Sequence, residues 1–213
     1  IENGSEFWPS VVIASDGYAR ISYQEGGVNS DLLFAKCNNT DCTSVSTTTI
    51  ELGGDTGSYS SIAIGTDGLP VISYYNEVSD DILVAKCNNS DCTSVSTTTV
   101  DSISNSSTPY NSIIIGSDGY PIIAYQDFGD FYLKLAKCNN ANCTSVSTTT
   151  VDYIGQNGKE TSLAISEDGY PLISYQASTS VAAKELRVAK CNNSDCTSVS
   201  TTTVDLGNTG SDS

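Results

Sequence analysis

The chain contains no histidine, a single tryptophan, two arginines and no cysteine outside a closely spaced pair. Each shortage removes a class of function. Without His or a free thiol, the familiar nucleophile–base pairs of covalent catalysis cannot be assembled. Basic residues are scarce, 9 against 25 acidic ones, for a formal net charge of −16. A field of that sign repels phosphate backbones and anionic lipid headgroups, so neither nucleic acid nor a membrane surface is an expected partner. No apolar run approaches the ~20 residues that span a bilayer, which argues against membrane insertion. Phosphate-cradling and dinucleotide-binding glycine motifs are missing. The N-terminal Ile1-Glu2-Asn3-Gly4 shows no signal-peptide pattern, so a secreted protein is expected here in processed form.

What the chain has instead is repetition. The stretch Cys37-Asn38-Asn39-Thr40-Asp41-Cys42, followed by Thr43-Ser44-Val45-Ser46-Thr47-Thr48-Thr49, returns almost unchanged at 87–99, 138–150 and 191–203. Its first cysteines, Cys37, Cys87, Cys138 and Cys191, set a period of 50 to 53 residues, in the range of repeat architectures. The eight cysteines pair as Cys37–Cys42, Cys87–Cys92, Cys138–Cys143 and Cys191–Cys196. A zinc site would need two distant pairs to converge, and the acidic loops complete no calcium pattern, so no metal or other cofactor is expected. Disulfides imply an oxidising compartment, hence an extracellular or cell-surface protein.

Each repeat carries four strand-like runs. In the second, Ser61-Ile62-Ala63-Ile64 leads to an Asp67-Gly68 turn and then, through Pro70, to Val71-Ile72-Ser73-Tyr74. Asp-Gly between two β-rich runs is a hairpin signal, because Gly accepts positive φ. The turn recurs at Asp16-Gly17, Asp118-Gly119 and Asp168-Gly169. A third run ends at Cys87, and the Asn-Asn loop feeds a Thr/Ser-rich fourth run suited to an exposed edge. Hydrophobic residues make up only 38%, which fits short strands with solvated faces.

Four antiparallel strands per repeat, four times over, resemble the blades of a β-propeller, and the resemblance covers the whole chain. The implied fold is all-β: four four-stranded blades, approximately 1–51, 52–102, 103–153 and 154–206, with 207–213 as a C-terminal connector in one repeat domain. The Trp-Asp signature of WD40 proteins is missing. The Asp-Gly turns are similar to the Asp-box of sialidase-like propellers without its aromatic spacing. Both ends align with the connector between blades. A four-bladed ring is the simplest closure, with two chains in an eight-bladed ring or a head-to-tail array as alternatives.

The Cys loops and Asp-Gly turns hardly vary among repeats, whereas the segments 25–30, 76–80, 127–130 and 177–184 and the inter-blade connectors do. In a propeller these variable segments share one face, the expected ligand rim. On it, Trp8, Tyr59 and Tyr110 occupy equivalent connector positions, with Glu160 in the fourth repeat; Asp127, Phe128, Asp130 and Tyr132 form a second aromatic–acidic group. Such rings stack on sugars or simply cover the blade as packing. The strand tyrosines Tyr23, Tyr74, Tyr125 and Tyr175 recur too regularly for a unique site and read as inter-blade core.

Sialidase chemistry needs an arginine triad, and only Arg20 and Arg187 are present. The expected channel-lining runs, 10–14, 61–65, 112–116 and 162–166, contain no acid that could serve a glycosidase. The sequence therefore implies no enzyme. It implies a non-catalytic extracellular module that binds carbohydrate or a surface protein through its variable rim. The alternative is a self-assembling subunit of a filament, sheath or surface layer, joined as a dimer or head to tail. Candidate N-glycosylation sites are Asn3, Asn38, Asn88, Asn105 and Asn192, with Asn142 a poor acceptor beside a cysteine. Asn-Asn also simply suits a tight turn.

Overall fold

The computed structural model describes residues 7–26, 30–53, 55–103, 109–153, 156–180 and 183–206. Asn3, Asn105 and the connector 207–213 lie outside them. The described residues form sixteen strands in four antiparallel sheets, each following chain order. The first blade is β1 (Phe7–Ile13), β2 (Ala19–Gln24), β3 (Leu32–Cys37) and β4 (Val45–Glu51). The second is β5 (Thr56–Ile64), β6 (Pro70–Asn76), β7 (Asp81–Cys87) and β8 (Val95–Ser102). The third is β9 (Asn111–Ile115), β10 (Pro121–Asp127), β11 (Tyr132–Cys138) and β12 (Val146–Asp152). The fourth is β13 (Gln156–Ile165), β14 (Pro171–Ser180), β15 (Ala183–Cys191) and β16 (Val199–Asp205).

The repeated motifs account for the two uniform turns of each blade. In the first, Gly17, Gly68, Gly119 and Gly169 take φ between +78° and +85°. The preceding Asp accepts the N–H two residues on, at 3.0–3.2 Å. The same carboxylate meets a cation from the sheet: Asp16 with Arg20, Asp67 with Lys86, Asp118 with Lys137 and Asp168 with Lys190. In the second turn all four disulfides form. The closing Cys of each sits at φ +50° to +53°, held by its bond and by N–H donation to the Asn three residues earlier.

Asn38, Asn88, Asn139 and Asn192 each donate their side-chain amide to two serine hydroxyls across the hairpin. Asn139 keeps this arrangement although Ala141 has removed its sequon, so the bonds serve the turn rather than a glycan.

The core lies between blades. One apolar cluster joins blades one and two around Leu32, Phe34, Ile72 and Tyr74. A second joins two and three around Ile82, Val84, Ile123 and Tyr125. A third joins three and four around Leu133, Leu135, Ile173 and Tyr175. The first strands pack in series, β1 on β5, β5 on β9 and β9 on β13, so they line the inner side, while the fourth strands form the solvated outer edge.

Among the described residues no comparable packing joins blade four to blade one. The described residues thus show three seams joining four blades in series. Val11 is 65% exposed, where its equivalents Ile62 and Ile113 are 6% and 7% exposed under a neighbouring blade.

Candidate functional site

The inner strands begin earlier than the hydrophobic pattern indicates. In β1, β5 and β13 the register with the second strand jumps between Phe7 and Ser10, between Ser58 and Ser61, and between Lys159 and Ser162. These are β-bulges, and the residue in each bulge is Trp8, Tyr59 or Glu160, at φ +50°, +52° and +52°. A bulge with a left-handed non-glycine residue re-aims one side chain out of the sheet. The next blade holds the bulge from outside: Ser60 Oγ donates to the Trp8 carbonyl at 3.3 Å, and Asn111 Nδ2 to the Tyr59 carbonyl at 2.9 Å. In the third blade Tyr110 stands just before β9, its carbonyl accepting the Gln126 N–H at 3.2 Å.

The three aromatic residues thereby form one column along the inner wall. Ring centroids lie 4.7 Å apart for Trp8 and Tyr59 and 4.4 Å for Tyr59 and Tyr110, at tilts of 36° and 52°. The Tyr110 phenol is pushed up to about 12, first by its hydrogen bond with Tyr59, then by burial, and further by the charge of Glu160. Glu160 is exposed and continues the column on the fourth blade. The structure thus brings Trp8, Tyr59, Tyr110 and Glu160 together.

Beside Glu160 an open cleft crosses the fourth blade, lined also by Tyr175, Gln176, Lys184, Glu185, Leu186 and Asp205. Glu185 accepts Arg187 Nε at 2.8 Å, and Arg187 Nη1 reaches Asp152 at 3.2 Å. Burial alone would lower the Arg187 pKa, but the Glu185 and Asp152 carboxylates outweigh it and raise it.

The second aromatic–acidic group does not join this site. Asp127 is buried, paired with Lys134 at 2.5 Å and accepting the Gly129 N–H at 2.9 Å. Phe128 packs edge-on to Phe131, and Tyr132 edge-on to Tyr153. Asp130 is exposed at the tip of the same hairpin. These residues shape the β10–β11 turn. The strand tyrosines are inter-blade groups: Tyr125 and Tyr175 donate to Asp101 and Asp152 of the preceding blade at 2.6 Å, and Tyr74 donates likewise to Glu51. Burial, reinforced by the adjacent carboxylate, raises all three phenol pKa values and keeps them protonated donors.

No protein-family model matches the sequence, and no curated protein is similar to it. Solved structures do share the fold. A protein of unknown function from Dyadobacter fermentans superposes with a TM-score of 0.68 at 13% identity, over 92% of this chain and 68% of its own. An ulvan lyase from a polysaccharide lyase family gives 0.62 at 12%, over 93% of this chain and 57% of its own. A thermostable family-43 glycoside hydrolase gives 0.62 at 13%, over 93% and 75%. At such identities the likeness is one of fold, and that fold is the β-propeller.

These likenesses correct two expectations drawn from the sequence, that the chain is no enzyme and that it is a non-catalytic binding module or, alternatively, a filament or sheath subunit. Glycoside hydrolases, polysaccharide lyases and a mannoside phosphorylase family are among the solved structures that share this fold. The physical reason for the error lies in the inner strands. Lacking His and free thiols excludes the pairs weighed above but not carboxyl chemistry, and β13 starts at Gln156, which puts Glu160 on the inner wall.

Proposed function

We propose that this chain is a secreted enzyme that hydrolyses a neutral polysaccharide, holding the glycan on Trp8, Tyr59 and Tyr110 and reacting beside Glu160. The observation that carries the proposal is the aromatic column ending in a carboxyl group on the inner wall. Ring faces suit the C–H surfaces of pyranoses, and successive rings suit successive sugars. Hydrolysis of a glycosidic bond calls for two carboxyl groups, one to protonate the departing oxygen and one to activate water or attack the anomeric carbon. Glu160, solvent-reachable at the end of the column, takes the first part. Glu185, lining the same cleft and paired with Arg187 at 2.8 Å, takes the second. Water adds across the C–O bond: its hydroxyl goes to the anomeric carbon, and the proton given up by Glu160 is recovered through Glu185.

A neutral substrate is favoured over a uronate because no arginine is at liberty to neutralise a sugar carboxylate. Arg20 is buried against Asp16, and Arg187 is committed to Glu185 and Asp152. The test is release of reducing ends from a panel of neutral glucans, mannans, xylans and arabinans. Activity on at least one is expected, with Glu160→Gln reducing kcat roughly a hundredfold or more; because Glu160 is exposed, the melting temperature should stay unchanged. A folded wild-type protein that releases nothing from the panel, or Glu160→Gln working at the wild-type rate, would overturn the assignment.

A further inference from the structure

Blade three differs from its neighbours where its strands meet the variable rim. Tyr110 stands just before β9, Phe128 just after β10, Phe131 just before β11 and Tyr153 just after β12, so each of the four strands carries a ring at that end. Tyr132, the first residue of β11, adds a fifth. The first two blades place no ring at the three outer positions. Asp127 pairs with Tyr132 as Asn76 pairs with Asp81, which aligns Phe131 with Asp80 and Ser30, and Tyr132 with Asp81 and Asp31. Tyr153 aligns with Ser102 and Leu52. Blade three packs on a neighbour at both of its faces, so this rim is formed entirely within the described blades.

Folding alone gives no reason for these rings. The backbone of Phe131 is left-handed, at φ +60°, as is that of Ser30 at +43° and Asp80 at +57°. That conformation suits a short polar side chain such as Asp and is costly for a bulky one. The cost of Phe131 is met by no corresponding burial, because its ring is only half-buried. Tyr153 is 67% exposed and buries still less. Phe128 and Phe131 meet edge-on with centroids 6.0 Å apart, and Tyr132 and Tyr153 edge-on at 6.5 Å. In an edge-on pair one ring presents its edge to the other, so ring faces stay uncovered.

We propose that the rim of blade three is a second glycan-binding track, on which a neutral polysaccharide lies outside the cleft and stacks on Phe131 and Tyr153. The track rests on the reading of the chain as a polysaccharide hydrolase. It adjoins the inner column: Gln126 donates its N–H to the Tyr110 carbonyl, and the next residue, Asp127, pairs with Tyr132. From the first strand to the fourth are three strand spacings, about 14 Å, which gives room for a short run of sugars. A polymer that overruns the inner wall therefore continues across blade three. Two of the four outer rings are phenols, and Asp130 is exposed at the hairpin tip, so hydroxyl-bearing chains find polar partners there. An apolar protein surface would have to desolvate those same groups. The net charge of −16 favours a neutral chain over an anionic one.

Affinity electrophoresis of the Glu160→Gln chain in gels holding a soluble glucan, mannan, xylan or arabinan reads binding without catalysis. Adding Phe131→Asn and Tyr153→Ala should weaken retention at least about fivefold, the worth of two lost stacking contacts. Asn accepts a left-handed backbone and Tyr153 is exposed, so the melting temperature should not fall. In the active chain the same pair should raise KM on the polymer and leave kinetics on a short oligosaccharide unchanged. No retention of the parent by any of the four polymers, retention indifferent to the pair, or equal losses on polymer and oligosaccharide would overturn the track. So would a self-association that Tyr153→Ala abolishes, which would put a protein on these rings instead. Retention that depends on Phe131 and Tyr153 in a protein that hydrolyses nothing would keep the track and remove Glu160 from the chemistry. Hydrolysis of a polymer without that dependence would do the reverse.

Discussion

At the scale of single residues, Tyr59 is the centre of the site because it touches a ring on either side, Trp8 at 4.7 Å and Tyr110 at 4.4 Å. Its backbone is fixed by the bulge and by Asn111, and its side chain is half-buried between the two rings. Tyr59→Ala should therefore raise KM roughly two- to tenfold, the worth of one aromatic stacking contact, with kcat little changed. Steady-state kinetics on a soluble oligosaccharide, alongside a melting curve, checks it, and an equal fall in kcat would place Tyr59 in the chemistry instead. The equivalence of Trp8, Tyr59, Tyr110 and Glu160 was legible in the repeats, because a 50-residue period aligns them without any structure. That Glu160 lies on the inner wall was not. Gly158, at φ +89°, stands two residues ahead of Glu160, but a left-handed Trp, Tyr or Glu inside the bulge leaves no trace in composition.

At the scale of strands and seams, each blade is attached to the one before it by a buried tyrosine whose hydroxyl serves a carboxylate at the end of a fourth strand. Tyr175 and Asp152 are both nearly inaccessible, at 1% and 5% exposure, so the bond is made out of reach of water. Tyr175→Phe keeps the ring in its cluster and deletes only the donor, leaving Asp152 to Arg187. The expected loss is about 2 kcal/mol of unfolding free energy, the usual cost of withdrawing a hydrogen bond from a buried charged group. Tyr120→Phe, at an exposed position, should change stability by less than about 0.5 kcal/mol. Urea unfolding of both variants gives the comparison, and equal midpoints would remove the tyrosine–carboxylate bonds from the account of how blades are joined. The strands themselves were legible, since Asp-Gly turns, strand-opening prolines and Cys loops punctuate every blade. The partners of the tyrosines were not: an acid follows every Thr-rich run, as Glu51, Asp101, Asp152 and Asp205, but its recurrence does not say that it faces a tyrosine of the next blade.

At the scale of the molecule, the net charge of −16 is the property that most directly sorts substrates. On the proposed function, a polysaccharide would reach the inner wall through the summed field of 25 carboxylates, opposed only by the nine cations, most of them tied into turn and seam pairs. At about 0.01 M ionic strength that field extends some 30 Å, whereas at 0.1 M it falls off within about 10 Å. A neutral chain feels little of it, so kcat/KM on a neutral polysaccharide should vary by less than about twofold over this range. A uronate or sulfated chain is repelled, so any residual turnover of it should be slowest at low salt and climb as salt is added. Measuring one neutral and one anionic polymer across the same salt series separates the cases. Preference for the anionic polymer at low ionic strength would mean that a local cationic path, with Lys184 at the edge of the cleft as its first candidate, overrides the global charge. The neutral assignment would then have to be given up even if Glu160 proved to be the reacting group.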